Sequence, residues 1–245
     1  MASTWSLLKK IGQKKLDERR ETREQDGKTR IDKDMPLGLR FGGIVEISQV
    51  DFILGGDDLK IQHPGTDMTV ESYGAFTIGG YQVHRYYLSS PVGIYVLQLG
   101  TDEKKIIQEC KLFLPYDEVC PNGPQDWGFW LDENSGYIGY SQFQLKDGTP
   151  YVRVWENADA MVVVEQDAQG NQLTRIPPIH YTEFVHLDRY GDKFEMLKYD
   201  SMLYGRKVND SVDEYLLVSA IEGEDGASIQ IMAGLELQQT AIKVI

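Results

Sequence analysis

Histidine is the side chain that most readily does acid–base or metal chemistry near neutral pH, and the chain has four histidines. They lie at positions 63, 84, 180 and 186. His180 and His186 fall in one predicted strand over 179–187 and share a face, whereas Glu183 points to the other face. Six residues of strand separate two side chains by about 20 Å, which is too far for both to bind one ion. The spacing therefore favours no metal site on this strand.

Carboxylate pairs are a second source of chemistry. Glycosidases use two carboxylates in a cleft, and aromatic side chains there often stack on the sugar. Asp132 and Glu133 follow an aromatic run, and Glu156 follows Trp155. However, residues 41–245 hold 31 of the 38 Asp and Glu. Neighbouring carboxylates therefore indicate little here, and most are expected to be surface groups that keep the protein soluble.

Arginines among aromatic residues form a third candidate. Arg85 and Tyr87 share one face of a predicted strand, and Arg153 shares a face with Tyr151 and Trp155. A guanidinium stacked on aromatic rings can form an exposed binding patch. The same pattern is also typical of a structural ladder on a half-buried sheet, where the arginine pairs with a carboxylate. We favour the structural interpretation and keep the binding patch as the alternative.

Several motifs of cofactor chemistry are missing from the sequence. The Gly-Gly pairs at 42–43, 55–56 and 79–80 belong to no G-x-G-x-x-G loop. No G-x-S-x-G nucleophile elbow occurs either. Cys110 and Cys120 have a spacing that fits no common zinc pattern, and we expect two reduced thiols. The sequence thus predicts no catalytic residue, no metal and no cofactor.

Charge is distributed unevenly along the chain. Residues 1–40 carry 11 Lys and Arg against 7 Asp and Glu, whereas residues 41–245 carry 14 against 31. A body this acidic is repelled by a phosphate backbone, which argues against binding to nucleic acid. The longest apolar run, residues 92–97, is far shorter than the about 20 residues that span a bilayer. We therefore expect a soluble cytoplasmic protein.

An amphipathic segment over residues 4–13 opens the chain and predicts a short N-terminal helix. Residues 17–34 are almost wholly charged, so we expect a solvated helix or a tether there. The basic head, residues 1–34, could dock on a protein partner or make peripheral contact with an anionic membrane. Alternatively, it is a frayed terminus or one that caps the body. The head residues that would make such contacts are Trp5, Leu8, Lys9, Lys10 and Ile11.

The rest of the chain, from Met35 onward, must position the candidate residues described above. Its pattern is mainly β, with short alternating runs between turn residues. One short helix is predicted at 124–132, with Pro124 in its first turn and Asn122 as its cap. Trp127 and Trp130 on this helix are expected to plug one end of a sheet. The predicted strands cover 44–54, 68–78, 82–88, 92–99, 105–114, 136–145, 150–156, 160–165, 179–187, 194–205, 214–221 and 227–235.

The fold class predicted from this pattern is mainly β with minor helix. We expect antiparallel meander sheets that form one large β unit or two closely packed ones. The best candidate boundary lies at 165–178, near Pro177-Pro178. It gives units at 35–170 and 171–245, which could equally be one continuous domain.

Several ordered strings resemble the YjfK-like bacterial family, a domain of unknown function. They are RYYL (85–88), YVLQL (95–99), YVRVW (151–155), SMLYGR (201–206), EYLLVSAIE (214–222) and IQIMAGLELQQTAIKVI (229–245). The resemblance implies no activity, cofactor or catalytic residue. Genes of that family commonly lie beside genes for membrane-stress proteins similar to phage-shock protein A, which implies an accessory role in an envelope-associated system.

Two functions remain from this reading. The first is a non-enzymatic interaction or regulatory protein that acts near the inner membrane with a protein partner. The second is an enzyme or small-molecule binder, for example of carbohydrate, with a pocket near Trp127, Trp130 and Trp155. A deep pocket with convergent carboxylates favours the second function, and a shallow surface favours the first.

Overall fold

The computed structural model describes residues 28–65, 67–157, 160–166, 170 and 172–245. The predicted helix at 4–13 and its residues Trp5, Leu8, Lys9, Lys10 and Ile11 lie outside this part of the chain. Among the described residues there are two α-helices, α1 (Val50–Gly55) and α2 (Pro124–Leu131). The strands are β1 (Ile44–Ile47), β2 (Met68–Ile78), β3 (Tyr81–Ser89), β4 (Ile94–Thr101), β5 (Ile107–Val119), β6 (Gln142–Gln144), β7 (Pro150–Arg153), β8 (Val162–Gln166), β9 (Gln172–Arg175), β10 (Ile179–His186), β11 (Phe194–Lys207), β12 (Asp213–Gly223), β13 (Gly226–Glu236) and β14 (Ile242–Val244).

Eight antiparallel strands close into a barrel. Their order around the barrel is β2, β3, β4, β5, β13, β12, β11 and β10. The barrel closes because β10 pairs with β11 on one side and with β2 on the other, where Phe184 lies opposite Ala75. This architecture confirms the mainly β antiparallel prediction, and four strands that precede residue 170 and four that follow residue 171 form the one barrel.

The remaining strands lie outside the barrel. β1 pairs with β2 and β14, and β7 pairs with β11 and β6. β8 and β9 pair with each other in a separate antiparallel two-stranded sheet. Within the described residues, no helix is long and apolar enough to cross a membrane.

Strand alternation divides the apolar side chains into two cores. On β3, Tyr87 belongs to the core inside the barrel, whereas Tyr86 and Leu88 belong to the core on its outer wall. The same division holds on β4, where Val96 faces inward and Leu97 faces outward. An eight-stranded barrel is just wide enough for side chains to fill its interior. Strands that are apolar on both faces, such as β4, follow from these two cores.

Three local predictions were wrong. The strand predicted over 44–54 ends at Ile47, and α1 follows, because a single helical turn buries Phe52 against the ring of His63 at 4.9 Å while leaving Ile53 and Leu54 exposed. The strand predicted over 136–145 is reduced to β6. The predicted α2 is present, but its cap is Gly123 with φ 91°.

Candidate functional site

Arg85 lies inside the barrel and is almost fully buried. Its Nε donates to Gln98 Oε1 at 3.0 Å, its Nη1 to Glu183 Oε2 at 3.0 Å and its Nη2 to the Tyr181 hydroxyl at 2.9 Å. Burial alone would lower the pKa of Arg85, but the nearby Tyr181 and Glu183 raise it well above its ordinary value. The guanidinium is thus charged, and each of its three nitrogens donates a hydrogen bond to a group of the protein itself.

Glu183 is the carboxylate partner of this network. Its Oε1 accepts a hydrogen bond from the Tyr87 hydroxyl at 3.1 Å. Burial, reinforced by Glu183, raises the pKa of Tyr87 well above its ordinary value. Arg85 and Tyr87 therefore meet on the inner face, as their spacing predicted, and they face the barrel interior.

Arg153 on β7 is likewise buried, and it donates hydrogen bonds to neighbouring groups of the protein. Its Nη1 donates to the Gly139 carbonyl at 2.7 Å and its Nη2 to Glu156 at 3.1 Å. Trp155 is half-buried and packs against both cores. The Tyr151 hydroxyl donates to Glu214 at 2.7 Å. The face shared by Tyr151, Arg153 and Trp155 is therefore packed against the rest of the protein and is no exposed binding patch.

Glu214 is a buried functional group that the sequence analysis missed. It is fully buried, accepts from Tyr151 and Arg206, and also accepts from the backbone N–H of Lys60 and Ile61. Burial of the hydroxyl, its hydrogen bond to Glu214 and that carboxylate's charge raise the pKa of Tyr151. One signal could have revealed it: Glu214 shares strand parity with residues 216 and 218, which are outer-core positions.

Within the described residues, no three His, Cys, Asp or Glu are grouped so that they could hold a metal ion. His84 Nδ1 lies 2.7 Å from the Tyr73 hydroxyl, and burial lowers the pKa of His84, as does the charge of Lys105. His180 is exposed and pairs with Asp200 at 3.1 Å.

A cleft of about 210 Å³ lies between α2 and the outer wall of the barrel. Trp127 and Leu131 form its helical wall, and strand residues, including Ala220 and Ala227, form the other side. A hydrogen-bonded pair and an ion pair lie at its edge, His180 with Asp200 at 3.1 Å and Lys198 with Glu222 at 3.6 Å.

Register explains why these residues meet. His180, Asp200 and Ala220 lie opposite one another on β10, β11 and β12. In the next row, Lys198 lies opposite Glu222. These side chains come from three strands and the helix, so their convergence depends on the barrel order and could not be found by sequence spacing.

Comparison with known proteins places the chain in a family. A family model described as a protein of unknown function, DUF2491, matches residues 11–243. The chain belongs to the DUF2491 family. It is similar to the uncharacterized protein YjfK of Escherichia coli (strain K12), with 25% identity over 217 residues that cover 86% of this chain and 90% of that protein. No solved structure matches the chain.

The DUF2491 assignment confirms the resemblance found in the sequence, and it adds no activity, because the family is one of unknown function. Of the three tryptophans considered for one pocket, this DUF2491 protein brings only Trp127 into the cleft. Trp130 instead packs edge-to-face against Phe129 at 5.2 Å and near Tyr137 at 6.0 Å. The carboxylates at the cleft, Asp200 and Glu222, were not among the candidate residues.

Proposed function

We propose that this DUF2491 protein is a non-enzymatic interaction protein, a cytoplasmic accessory of an envelope- or membrane-stress-associated system. A protein partner docks an apolar side chain in the cleft between α2 and the barrel wall. The observation that carries this proposal is the composition of the cleft, in which an apolar wall of Trp127 and Leu131 is edged by two polar pairs, His180 with Asp200 and Lys198 with Glu222.

The cleft has the features of an anchoring pocket. Tryptophan is enriched at the centres of protein interfaces, where it fills or walls desolvated pockets. The rim pairs are exposed, with 48% of the Lys198 side chain and 66% of the Glu222 side chain accessible. Exposed pairs contribute little to folding, so they can exchange partners with charges on an incoming chain and orient it.

The same geometry disfavours the enzyme or small-molecule alternative. Asp200 lies within hydrogen-bond distance of His180 and Glu222 pairs with Lys198, so the two carboxylates do not converge as an acid and a base. The cleft volume of about 210 Å³ lies below the about 300–1,000 Å³ that is usual for small-molecule sites. That volume suits one or two side chains of a protein partner.

The basic head supplies the second contact of the proposal. Residues 1–16 contain four lysines and no Asp or Glu. Each lysine near an anionic membrane surface contributes about 1 kcal/mol of attraction. The head would thus hold the protein at the inner membrane, while the acidic body presents the cleft to the partner.

Affinity capture from the native host tests the cleft. Ala227→Trp fills the cleft from its exposed edge, and Thr77→Trp places the same bulk at an exposed position of β2 as the control. Proteins captured by the wild type and by Thr77→Trp should be lost with Ala227→Trp. Equal capture by all three would contradict docking in the cleft. A small molecule that co-purifies with all but Ala227→Trp would support the alternative function.

A further inference from the structure

Three apolar side chains form an exposed patch on the outer face of the β10–β11 hairpin. The β10–β11 patch consists of Phe184, Phe194 and Met196, which are 45%, 54% and 44% exposed. Phe184 lies directly opposite Met196, and the rings of Phe184 and Phe194 are 5.9 Å apart. None of the three belongs to either apolar core. Clustered exposed apolar groups of this kind mark binding surfaces.

The rest of the barrel's outer wall contrasts with this patch. Outward side chains of β3, β4, β5, β12 and β13 are buried in the outer core. The outer core also includes residues of the segment 35–41, of β1 and of α1, which lie outside the barrel. On β10, by contrast, the outward residues contribute nothing to that core. The outer face of β10 around Phe184 thus lacks a covering element among the described residues.

The described chain begins beside this patch. Lys28 Nζ pairs with Asp192 Oδ2 at 2.5 Å, and the Ile31 N–H donates to the Arg189 carbonyl at 2.9 Å. Asp192 lies in the connection from β10 to β11, two residues before Phe194. Four residues of extended chain cover about 13 Å, so the whole patch lies close to the point where residues 1–27 join the barrel.

We propose that residues 4–11 of the same chain dock on the β10–β11 patch. Their helical spacing puts Trp5, Leu8 and Ile11 on one side, and this apolar side can cover the exposed apolar residues of the patch. Charge favours the contact as well, because residues 1–16 are basic whereas residues 28–245 hold 33 acidic and 18 basic groups. This inference goes beyond the proposed function, since it needs neither a partner nor a membrane.

Chain length permits the contact. Residues 12–27 form a tether of 16 residues, which when extended spans up to about 53 Å. A tether of this kind holds the docking segment at an effective concentration on the order of millimolar. Even a weak apolar contact is then occupied within one molecule. In the docked state the apolar side of the head is covered, so a membrane or partner must compete for it.

Peroxide oxidation of methionine tests the proposal on the purified protein alone. Met196 and Met161 are 44% and 47% exposed and thus form a matched pair, of which only Met196 lies in the patch. Sulfoxide formation follows exposure, so Met196 of the full-length chain should react at least about threefold more slowly than Met161. Peptide mass spectrometry measures both rates. Deletion of residues 1–27 should make the rates equal.

Two variants identify the docking segment. The double variant Leu8→Glu/Ile11→Glu should accelerate oxidation of Met196 as the deletion does, whereas Gln13→Glu on the polar side should not. Equal Met196 rates in the full-length and deleted chains would overturn the proposal. It would also be overturned if protection disappeared on dilution, because a second copy would then be the occupant. The proposed partner and membrane contacts would be untouched by either result.

Discussion

Arg85 and Glu183 form an ion pair inside the barrel, with 3.0 Å between Nη1 and Oε2 although 98 residues separate them in the chain. The pair joins β3 to β10, two strands that both neighbour β2. The guanidinium also lies over the ring of Phe76, 4.6 Å from its centroid. The polar centre of the barrel therefore stabilises the fold, and substitutions there should lower the free energy of unfolding.

Removing one member of the pair should be strongly destabilising. Glu183→Gln leaves the Arg85 charge buried without its counter-ion, which costs about 3–5 kcal/mol of the free energy of unfolding. Urea unfolding followed by tryptophan fluorescence measures this. Glu222→Gln, in the exposed pair with Lys198, is the control and should cost less than about 1 kcal/mol. Similar losses in both variants would contradict a structural role for the buried pair.

A matched pair of glycines tests how tightly Glu183 is packed. In Gly74→Ala, the added Cβ would overlap the Glu183 carboxylate, so the variant should lose about 1–3 kcal/mol of unfolding free energy. Gly128 in α2 has open space at the same position, and Gly128→Ala should gain about 0.5–1 kcal/mol. Thermal and urea unfolding report both changes. An unaltered Gly74→Ala protein would show that the carboxylate can move aside.

The two thiols should differ sharply in reactivity. Burial raises the pKa of Cys110 to about 12, whereas Cys120 is exposed. Since the thiolate is the reactive form, iodoacetamide at neutral pH should label only Cys120 in the native protein and both thiols in urea. Intact mass spectrometry counts the labels. Cys120→Ser should abolish rapid native labelling, and rapid double labelling of the native wild type would contradict the burial of Cys110.

Stability should fall as the medium becomes acidic, in part through His84. Burial lowers the pKa of His84 in the folded state below its ordinary 6.5, so the unfolded chain binds the proton first as the pH falls. The stability contributed by neutral His84 is therefore present above 6.5 and is lost below it, by at most about 1.4 kcal/mol per pH unit. Urea unfolding at about pH 7.5 and about pH 5.5 measures the loss. His84→Gln should show a smaller loss, and an equal loss would assign the effect to other groups.

The head should contribute to membrane contact and little to folding. We place the truncation before Lys28, because residues 28–32 hydrogen bond to the body, with Asp32 accepting from the Phe41 N–H at 3.0 Å. Deletion of residues 1–27 should shift the melting temperature by less than about 4 °C. It should weaken co-sedimentation with anionic vesicles, and Lys9→Glu/Lys10→Glu should do the same in a salt-dependent way. Unchanged vesicle binding by both variants would contradict the membrane contact.

Local pattern was sufficient for much of the fold. The helix at Pro124–Leu131 was predicted within one residue, because Pro124 in the first turn and a dense aromatic run leave few alternatives. Local pattern failed at residues 50–54, which continue the alternating run that begins at Ile44 but are helical. The helix buries Phe52 and leaves Ile53 and Leu54 exposed. Alternation shows that a face is buried, but it does not show which residue the rest of the protein will cover.

The site depended still more on tertiary structure. Strand parity placed Arg85 with Tyr87 and Arg153 with Trp155, since the period of two is a property of the backbone itself. Parity could not predict that Glu183 is the partner of Arg85, because β10 reaches Arg85 only when the barrel closes. Nor could it predict that Trp127 lies near Lys198 and Glu222 in the cleft. The sequence by itself determined the strand faces, the charge of the head and the mainly β class. Long-range strand pairing decided which of these faces line the barrel interior, which are covered on the outer wall and which border the open cleft. Strand order arises from contacts between residues far apart in the chain, so local pattern cannot supply it.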